Sequence, residues 1–557
     1  MSQNHFAAVP NISIPRSRFK MPFNHSTSWL HGDLIPLDCF EVIAGDTISC
    51  KLSAMVWMST PIAPIFGNIK GYLKAFFVPM RLIWEHWEEF FGANKTNAGY
   101  QTVQRTVPMA SLSVGINDHS VSAYLGKPQV ATNGCNVSVS VLKERGYYLI
   151  WNEYYRAQQV QNPVLIDFSD TGNIGSLNGN TISFARAPLK VNKMFDYFTA
   201  CTLYPQYGAA VTLPLGTYAT VKTIPVTDVN TSLLSTNPMF WATSAGGVVS
   251  LDGASSPHSL LETTNGATFR RTGSETLPSG TDVNLFPANL VADLSNATAA
   301  TINSLRYAFA VQKYLERANF GSRYYEILSV HYGVTSPDSR LQIPERLGSC
   351  EMPINISSVL STAGYAAGNT TTVGAPGAAA TAALRQKHLF TKAFVEPGYV
   401  YVMLGTHHER SYVDGILRED LKADRFDFYS PEFANLGDQV VYDGEIYCGG
   451  LNNTTAKAPF GYQEHWAEYR YRPNRVSGLL APTGSNSLAF WTLADKFAAV
   501  PSLSGTFLEE DRNAISRALV SGNNGPDYIG DFYFDYTATR EMPLITIPGL
   551  IDHFGSM

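Results

Sequence analysis

Thr47-Ile48-Ser49-Cys50-Lys51-Leu52-Ser53-Ala54-Met55-Val56-Trp57-Met58 is the run that decides the fold class. Polar and apolar side chains largely alternate along it, which is the period of a strand with one buried and one open face. Upstream, Cys39-Phe40-Glu41-Val42-Ile43 reads as a second strand, joined to the first by a turn at Ala44-Gly45-Asp46. Downstream, Gly71-Tyr72-Leu73-Lys74-Ala75-Phe76-Phe77-Val78-Pro79 reads as a third, stopped by its proline. Further strand signals lie in His388 to His408, around a turn at Glu396-Pro397-Gly398. Tyr399-Val400-Tyr401-Val402-Met403-Leu404 is the strongest of these, and Phe532-Tyr533-Phe534-Asp535-Tyr536 follows near the C-terminus.

Between these strand groups the period changes. Ile83, Trp84, Trp87, Phe90 and Phe91 share one helical face, with Glu85, Glu88 and Glu89 elsewhere. A second helix is expected over Gly146 to Gln161, ended by Pro163, and a third over Asn303 to Asn319. Thr227 to Ala300 is rich in Ser, Thr, Asn and Gly. Ser357 to Leu384 is dominated by Ala, Gly and Thr. Both read as surface insertions, at 227–300 and 357–384. Strands, helical insertions and strands again predict a mainly β sandwich whose loops carry helices. A parallel α/β fold would need regular alternation of strand and helix, which this order lacks.

Composition agrees. Of the 557 residues 12% are aromatic and only 15% charged, with 44 Gly and 31 Pro, as suits a β-rich, loop-rich chain. Low charge and many rings also suit a surface that is covered by copies of itself. A net charge of -6 argues against wholesale coating of nucleic acid, but leaves room for a local basic patch. The six cysteines form no C-x-x-C pair and are expected to be isolated buried thiols in a reducing cytoplasm. Met1 to Pro10 lacks a secretory pattern and no run is long and apolar enough for a membrane helix, so no membrane insertion is expected.

The motifs of catalysis are missing: no phosphate-binding loop, no dinucleotide fingerprint, no nucleophile elbow and no H-E-x-x-H. His407-His408-Glu409 is the closest metal-like cluster. Neighbours on a strand point to opposite faces, so these cannot converge on one ion unaided. His86, with Glu85 and Glu89, and His465, beside Glu464 and Trp466, read as solvated faces. Glu419, Asp420, Asp424 and Asp427, like Glu509, Glu510 and Asp511, are acids of the kind a glycosidase pairs, but they read as surface residues. Neither a catalytic residue, nor a metal, nor a cofactor is expected.

Residues 1–32 contain no Asp or Glu and read as an extended basic arm. In it Arg16, Arg18 and Lys20 are candidates for phosphate contact, and Phe19 for base stacking. A β-sandwich that binds or hydrolyses glycans is an alternative reading, since aromatic and acidic side chains suit sugars; an elongated trimeric spike protein is another.

Blocks spread along the chain carry a resemblance. They include Phe40-Glu41-Val42 with Gly45-Asp46-Thr47, Phe76-Phe77-Val78-Pro79-Met80-Arg81-Leu82-Ile83-Trp84, Leu149-Ile150-Trp151-Asn152-Glu153-Tyr154-Tyr155-Arg156 and Asp196-Tyr197-Phe198-Thr199-Ala200-Cys201. The most specific is Arg323-Tyr324-Tyr325-Glu326 followed by His331-Tyr332-Gly333-Val334 and Ser336-Pro337-Asp338-Ser339-Arg340-Leu341-Gln342. Trp466-Ala467-Glu468-Tyr469-Arg470-Tyr471 and Pro548-Gly549-Leu550-Ile551-Asp552-His553-Phe554 continue the series in order. On these blocks the chain resembles the major capsid proteins of the gokushovirus branch of the microviruses. It departs from them at Ala318-Asn319-Phe320-Gly321, where a more basic turn is expected.

The resemblance implies an eight-stranded jelly roll over residues 1–557 with large insertions between strands. It implies a virion shell of on the order of sixty copies around single-stranded DNA, assembled in the bacterial cytoplasm. The partners it implies are a small basic DNA-packaging protein, minor pilot or spike-type virion proteins and a host surface receptor. It also makes 227–300 the candidate for a protrusion at the threefold axes.

Overall fold

A computed structural model describes residues 16–93, 105–112, 116–129, 137–211, 220–223, 240–243, 248–250, 259–263, 266–270, 285–287, 290–293, 302–319, 321–360, 376–482 and 486–545. The chain divides into two compact units, Met1–Tyr207 with Glu316–Met557, and Gly208–Leu315.

Eight antiparallel strands build the first unit: β1 (Ser17–Trp29), β2 (Ile35–Val42), β3 (Thr47–Met58), β4 (Ile69–Pro79), β5 (Glu345–Leu360), β6 (Pro376–Ala393), β7 (Gly398–His408) and β8 (Tyr528–Arg540). Their order is β1-β8-β3-β6-β5-β4-β7-β2. This is the jelly-roll arrangement, two four-stranded halves that keep long-range partners side by side. β5 joins the halves, because Glu345–Ile354 pairs with β4 while Asn355–Leu360 pairs with β6. β1 and β2 form the two remaining edges.

The alternation in β3 points Ile48, Cys50, Leu52, Ala54 and Val56 into the sandwich, where they meet Phe532 and Phe534 of β8 and Val400, Val402 and Leu404 of β7. β7 reads differently because it is buried on both faces. Its other row, Tyr399, Tyr401 and Met403, packs under a helix, α1 (Leu142–Tyr154), which contributes Tyr147, Tyr148, Ile150 and Trp151. A continuous apolar run is what such a doubly covered strand requires. The contact is close: a Cβ added at Gly146 would collide with the Tyr401 ring, whose hydroxyl donates to the Lys143 carbonyl at 2.8 Å. The half-sheet β2-β7-β4-β5 is therefore roofed by α1 and the neighbouring chain of the first unit, up to Val191, whereas the outward face of β1-β8-β3-β6 keeps exposed side chains on alternate residues.

Several expectations shift. The arm 1–32 is a paired edge strand from Ser17 to Trp29, in register with Arg540 to Tyr528; residues 1–15 lie outside the described residues. Of the 357–384 insertion, Ser357–Leu360 and Pro376–Leu384 belong to β5 and β6, and residues 361–375 lie outside the described residues. Its lack of charge has a packing cause, since Ala378, Ala380 and Ala382 face inward and are buried. The helix expected around Ile83 to Phe91 is one turn of 3-10 helix at Met80–Leu82 and one α turn at Trp87–Phe90. It breaks where Trp84 Nε1 and His86 Nδ1 both turn to Asp170, at 2.7 and 2.9 Å. The second helix starts earlier than expected, at Leu142, and the third, α2 (Ile302–Ala318), lies where expected.

In the second unit, Thr220–Thr223 pairs with Leu290–Asp293, Phe240–Ala242 with Val248–Ser250, Trp241–Thr243 with Leu285–Pro287, and Ser259–Thr263 with Gly266–Arg270. The expected insertion 227–300 falls within this unit, much of it outside the described residues. The single domain expected over 1–557 thus carries a second compact unit between β4 and β5. The five described cysteines are free; Cys50, Cys201 and Cys350 are buried.

Candidate nucleic-acid interface

The open face of β1-β8-β3-β6 is the surface on which the sequence-predicted contacts can be placed. Arg18 and Lys20 project from it, exposed, on the outward row of β1. Arg16 stands at the strand's start, exposed but ion-paired with Glu541 at 2.9 Å. Phe19 lies on the inward row, half-buried, opposite Ala538. Two of the four candidates thus share an open face; a third is paired off, and the fourth is turned towards the core.

Other side chains join Arg18 and Lys20 by register. Trp57 lies opposite Ile529, and Ser53 opposite Tyr533. Trp57, Met55, Ile529 and Tyr533 are all exposed. Exposed Lys51, opposite Asp535, adds positive charge, against Asp531 and Asp535. Asp531 is engaged, accepting from Asn24 Nδ2 and Ser26 Oγ at 2.7 Å each. Ring faces beside lysine and arginine on an uncovered sheet can stack bases and neutralise phosphates. The two rings were legible as alternation errors: Trp57 and Tyr533 are aromatics on the outward phase of their strands.

A second arrangement, unforeseen in the sequence, closes one end of the sandwich. The inward row of β7 runs Val400, Val402, Leu404 and then turns polar at Thr406 and His408, both fully buried. Glu510, equally buried, meets that end: its Oε1 lies 2.7 Å from His408 Nδ1, 3.0 Å from His31 Nε2 and 2.8 Å from the donating Arg410 guanidinium. Arg410 also donates to Asp495 at 2.6 Å, and His31 Nδ1 lies 3.0 Å from the Tyr528 hydroxyl. The His31 backbone N–H donates to Asp527, which Arg512 grips through both carboxylate oxygens at 2.8 and 2.9 Å. Gly32, at φ +80°, leaves room for the Glu510 backbone, whose carbonyl a Cβ would approach to 2.6 Å.

Burial alone would raise the Glu510 carboxyl, but Arg410 and the histidines hold it well below the usual carboxylate range. Burial, then Arg410, pushes His408 down to about 4, so it is neutral at physiological pH. His31, His408 and Glu510 offer donor atoms within 4.8 Å of one another, the spacing a metal ion needs. A divalent cation there would have to displace Arg410, which already brings positive charge to the shared oxygen. The group ties the β1–β2 loop, β7, β8 and the β7–β8 connection together.

The expected His407-His408-Glu409 cluster does not gather on one point: His408 meets Glu510 Oε1, His407 Nδ1 stays 3.8 Å from Glu510 Oε2, and Glu409 accepts from Asn68 at 2.9 Å. Glu510 is no surface acid, though Glu509 and Asp511 on either side are more open. His86 and Glu89 are engaged too: Arg105 donates to Glu89 at 3.0 Å and to Asp170 at 3.0 Å.

Among known proteins, a family model described as capsid protein (F protein) matches residues 7–550. Capsid protein VP1 of Bdellovibrio phage phiMH2K is 33% identical over 559 residues, covering 99% of each chain. Capsid protein VP1 of Chlamydia phage 1 is 32% identical over 596 residues, covering 98% of each. That of Spiroplasma virus 4 is 31% identical over 558 residues, covering 98% of this chain and 97% of its own.

Proposed function

The chain belongs to the capsid protein (F protein) family, and from that premise we propose that its copies close into an icosahedral shell around a single-stranded DNA genome. The observation that carries this reading is the jelly roll itself, combined with a match that runs almost end to end. Among the described residues one half-sheet is roofed by α1 and its flanking chain and the other is bare. A shell subunit needs such a division, because one surface faces neighbours or solvent and another faces the cargo.

The bare face, with Arg18, Lys20, Trp57 and Tyr533, is our candidate for genome contact. Its few charges give modest, salt-sensitive affinity, which a small basic packaging protein would supplement. The overall charge of -6 is compatible with that division of labour. The insertion 227–300 is our candidate for a protrusion at the threefold axes and for attachment to a bacterial receptor. Pilot or spike-type proteins would complete a virion assembled in the host cytoplasm. No helix among the described residues is long and apolar enough to cross a membrane.

The role is structural and needs no catalysis. Each subunit contact can be modest, since closure multiplies the contacts each copy makes. Negative-stain electron microscopy of the chain, expressed alone and with its phage context, tests the reading. Closed particles of uniform diameter are expected. Discrete monomers or trimers under both conditions would exclude a shell and return attention to the spike and glycan alternatives.

A further inference from the structure

Residues of the connection between β7 and β8, joined by Tyr197 and Phe198, line a pocket of about 540 Å³, with Phe428, Tyr469, Tyr471, Arg418, Lys422 and Arg472 in its wall and the acids Glu419, Glu445 and Glu468 among them. A second, of about 400 Å³, is lined by Tyr429, Ala434, Trp466, Tyr469 and Arg470. Tyr469 and Arg470 line both, so the two adjoin across a shared wall. The sequence behind that wall alternates rings and guanidinium groups, Tyr469-Arg470-Tyr471-Arg472, and ends in Pro473.

The rings are held in place from beneath. Trp466 Nε1 donates to the Phe433 carbonyl at 2.9 Å, and its ring lies 5.5 Å from that of Tyr429 and 6.1 Å from that of Tyr469. The Lys422 side chain is only 4% exposed. Its ammonium donates to the Tyr469 hydroxyl at 2.8 Å and sits 4.3 Å from the Tyr469 ring centre and 5.5 Å from that of Phe428. This cation, paired with Glu468 at 3.4 Å, fixes the Tyr469 and Phe428 rings, and Phe428, Tyr469 and Tyr471 are each half exposed.

The outer guanidinium groups are available for exchange. Arg472 meets Glu419 at 3.4 Å, with side-chain exposures of 77% and 57%, and Arg470 pairs with Glu464 in a similarly open position. Exposed pairs of this kind are weak, and a phosphate can replace the carboxylate while presenting the same fork geometry. Rigid open rings beside exchangeable arginines are what single-stranded nucleic acid requires, because its bases are free to stack. A duplex hides those faces. Two adjoining pockets with a common ring and arginine suit a strand better than an isolated mononucleotide.

We infer that these two pockets take successive nucleotides of single-stranded DNA, Phe428, Tyr469 and Tyr471 stacking the bases and Arg470 and Arg472 meeting the phosphates. The inference rests on the genome-enclosing reading above and locates a second contact surface, apart from β1.

The test uses the full chain and a fluorescein-labelled oligo-dT, followed by anisotropy. Tyr471→Ala and Phe428→Ala are each expected to weaken binding about tenfold, and Tyr471→Phe, which keeps the ring, to stay within about twofold. A 5-iodo-deoxyuridine oligonucleotide, photocrosslinked to the unmutated chain, is expected to mark Phe428, Tyr469 or Tyr471, which removes any dependence on how well variants fold. Unchanged binding in both alanine variants, or crosslinks confined to other segments, overturns the pocket assignment and leaves the enclosing of DNA intact. Absence of oligonucleotide binding by the unmutated chain overturns both. Loss of shell closure with oligonucleotide binding unchanged would mean that a second copy of the chain fills the pockets, and also overturns the assignment.

Discussion

Glu510 Oε1 lies 2.7 Å from His408 Nδ1, with both side chains fully buried and the Arg410 guanidinium donating to the same oxygen at 2.8 Å. The carboxylate belongs to the β7–β8 connection and the imidazole to the last residue of β7. The pair therefore fastens an insertion to the sandwich at the point where the inward row of β7 ceases to be apolar. A shell protein with long insertions needs fasteners of this kind, because each insertion leaves the core and must return to a fixed place.

Removing the hub acid leaves Arg410 with a partly uncompensated buried charge. Glu510→Ala is expected to cost about 3–5 kcal/mol, in the range for breaking a buried ion pair from one side. Urea or guanidinium unfolding of the soluble subunit measures it. A variant as stable as the parent would show that the contacts at Oε1 contribute nothing net.

Acid should loosen the same end. His408 has a folded value of about 4, below the ordinary imidazole value of 6.5, so the unfolded chain binds more protons between those limits. The stability due to neutral burial is complete above pH 6.5 and is lost as pH falls towards 4, by on the order of 3 kcal/mol. Glu510, held well below its ordinary value, adds a loss of the same sign at lower pH. Thermal midpoints between pH 7 and pH 4 report the sum, and His408→Gln should flatten the upper part of that slope.

Gly146 offers a test in which the sign is decisive. Within an exposed helix, alanine would stabilise relative to glycine by about 1 kcal/mol. Here the new methyl would meet the Tyr401 ring, so Gly146→Ala is expected to destabilise by about 1–3 kcal/mol. Tyr401→Phe removes the nearest atom, and the double variant should be less damaged than the two single changes add up to.

Much of this architecture can be read in the chain itself. The alternation in β3, broken only by Met55 and Trp57, marks a strand open on one side, and the unbroken Tyr399 to Leu404 run marks one covered on both. What cannot be read is any feature that depends on distant partners. Glu510 looks like its more open neighbours because the residues that bury it, His31, His408 and Arg410, are far away in sequence. Ala378 to Ala382 looks like a loop because alanine has little strand propensity of its own, and only the tight inner face of β6 explains it. Arg18 and Phe19 look equivalent until β1 pairs with β8 and the two-residue period sends them to opposite faces.

The inner alanine row makes that packing claim measurable. Ala380 is buried, and Ala380→Leu is expected to cost about 1–3 kcal/mol through overpacking. Thr381, next in sequence but exposed on the other face, should accept Thr381→Lys within about 0.5 kcal/mol. Equal tolerance at both sites would restore the reading of this segment as a loop.

The bare sheet face predicts how DNA affinity depends on salt. Each phosphate contact on a single strand contributes about 0.7 to the slope of log affinity against log salt. Replacing Arg18 and Lys20 together by alanine should therefore lower the slope by about 1.4, with little change in stability, since both side chains are exposed. Arg16→Ala should change the slope less, because Arg16 is shared with Glu541. Phe19→Ala should act the other way round, lowering stability while leaving the slope alone, because its half-buried ring faces the core beside Ala538. Oligonucleotide titrations at several salt concentrations separate these outcomes. A slope that ignores Arg18 and Lys20 would remove β1 from the genome-facing surface, whatever the fate of the pockets between β7 and β8.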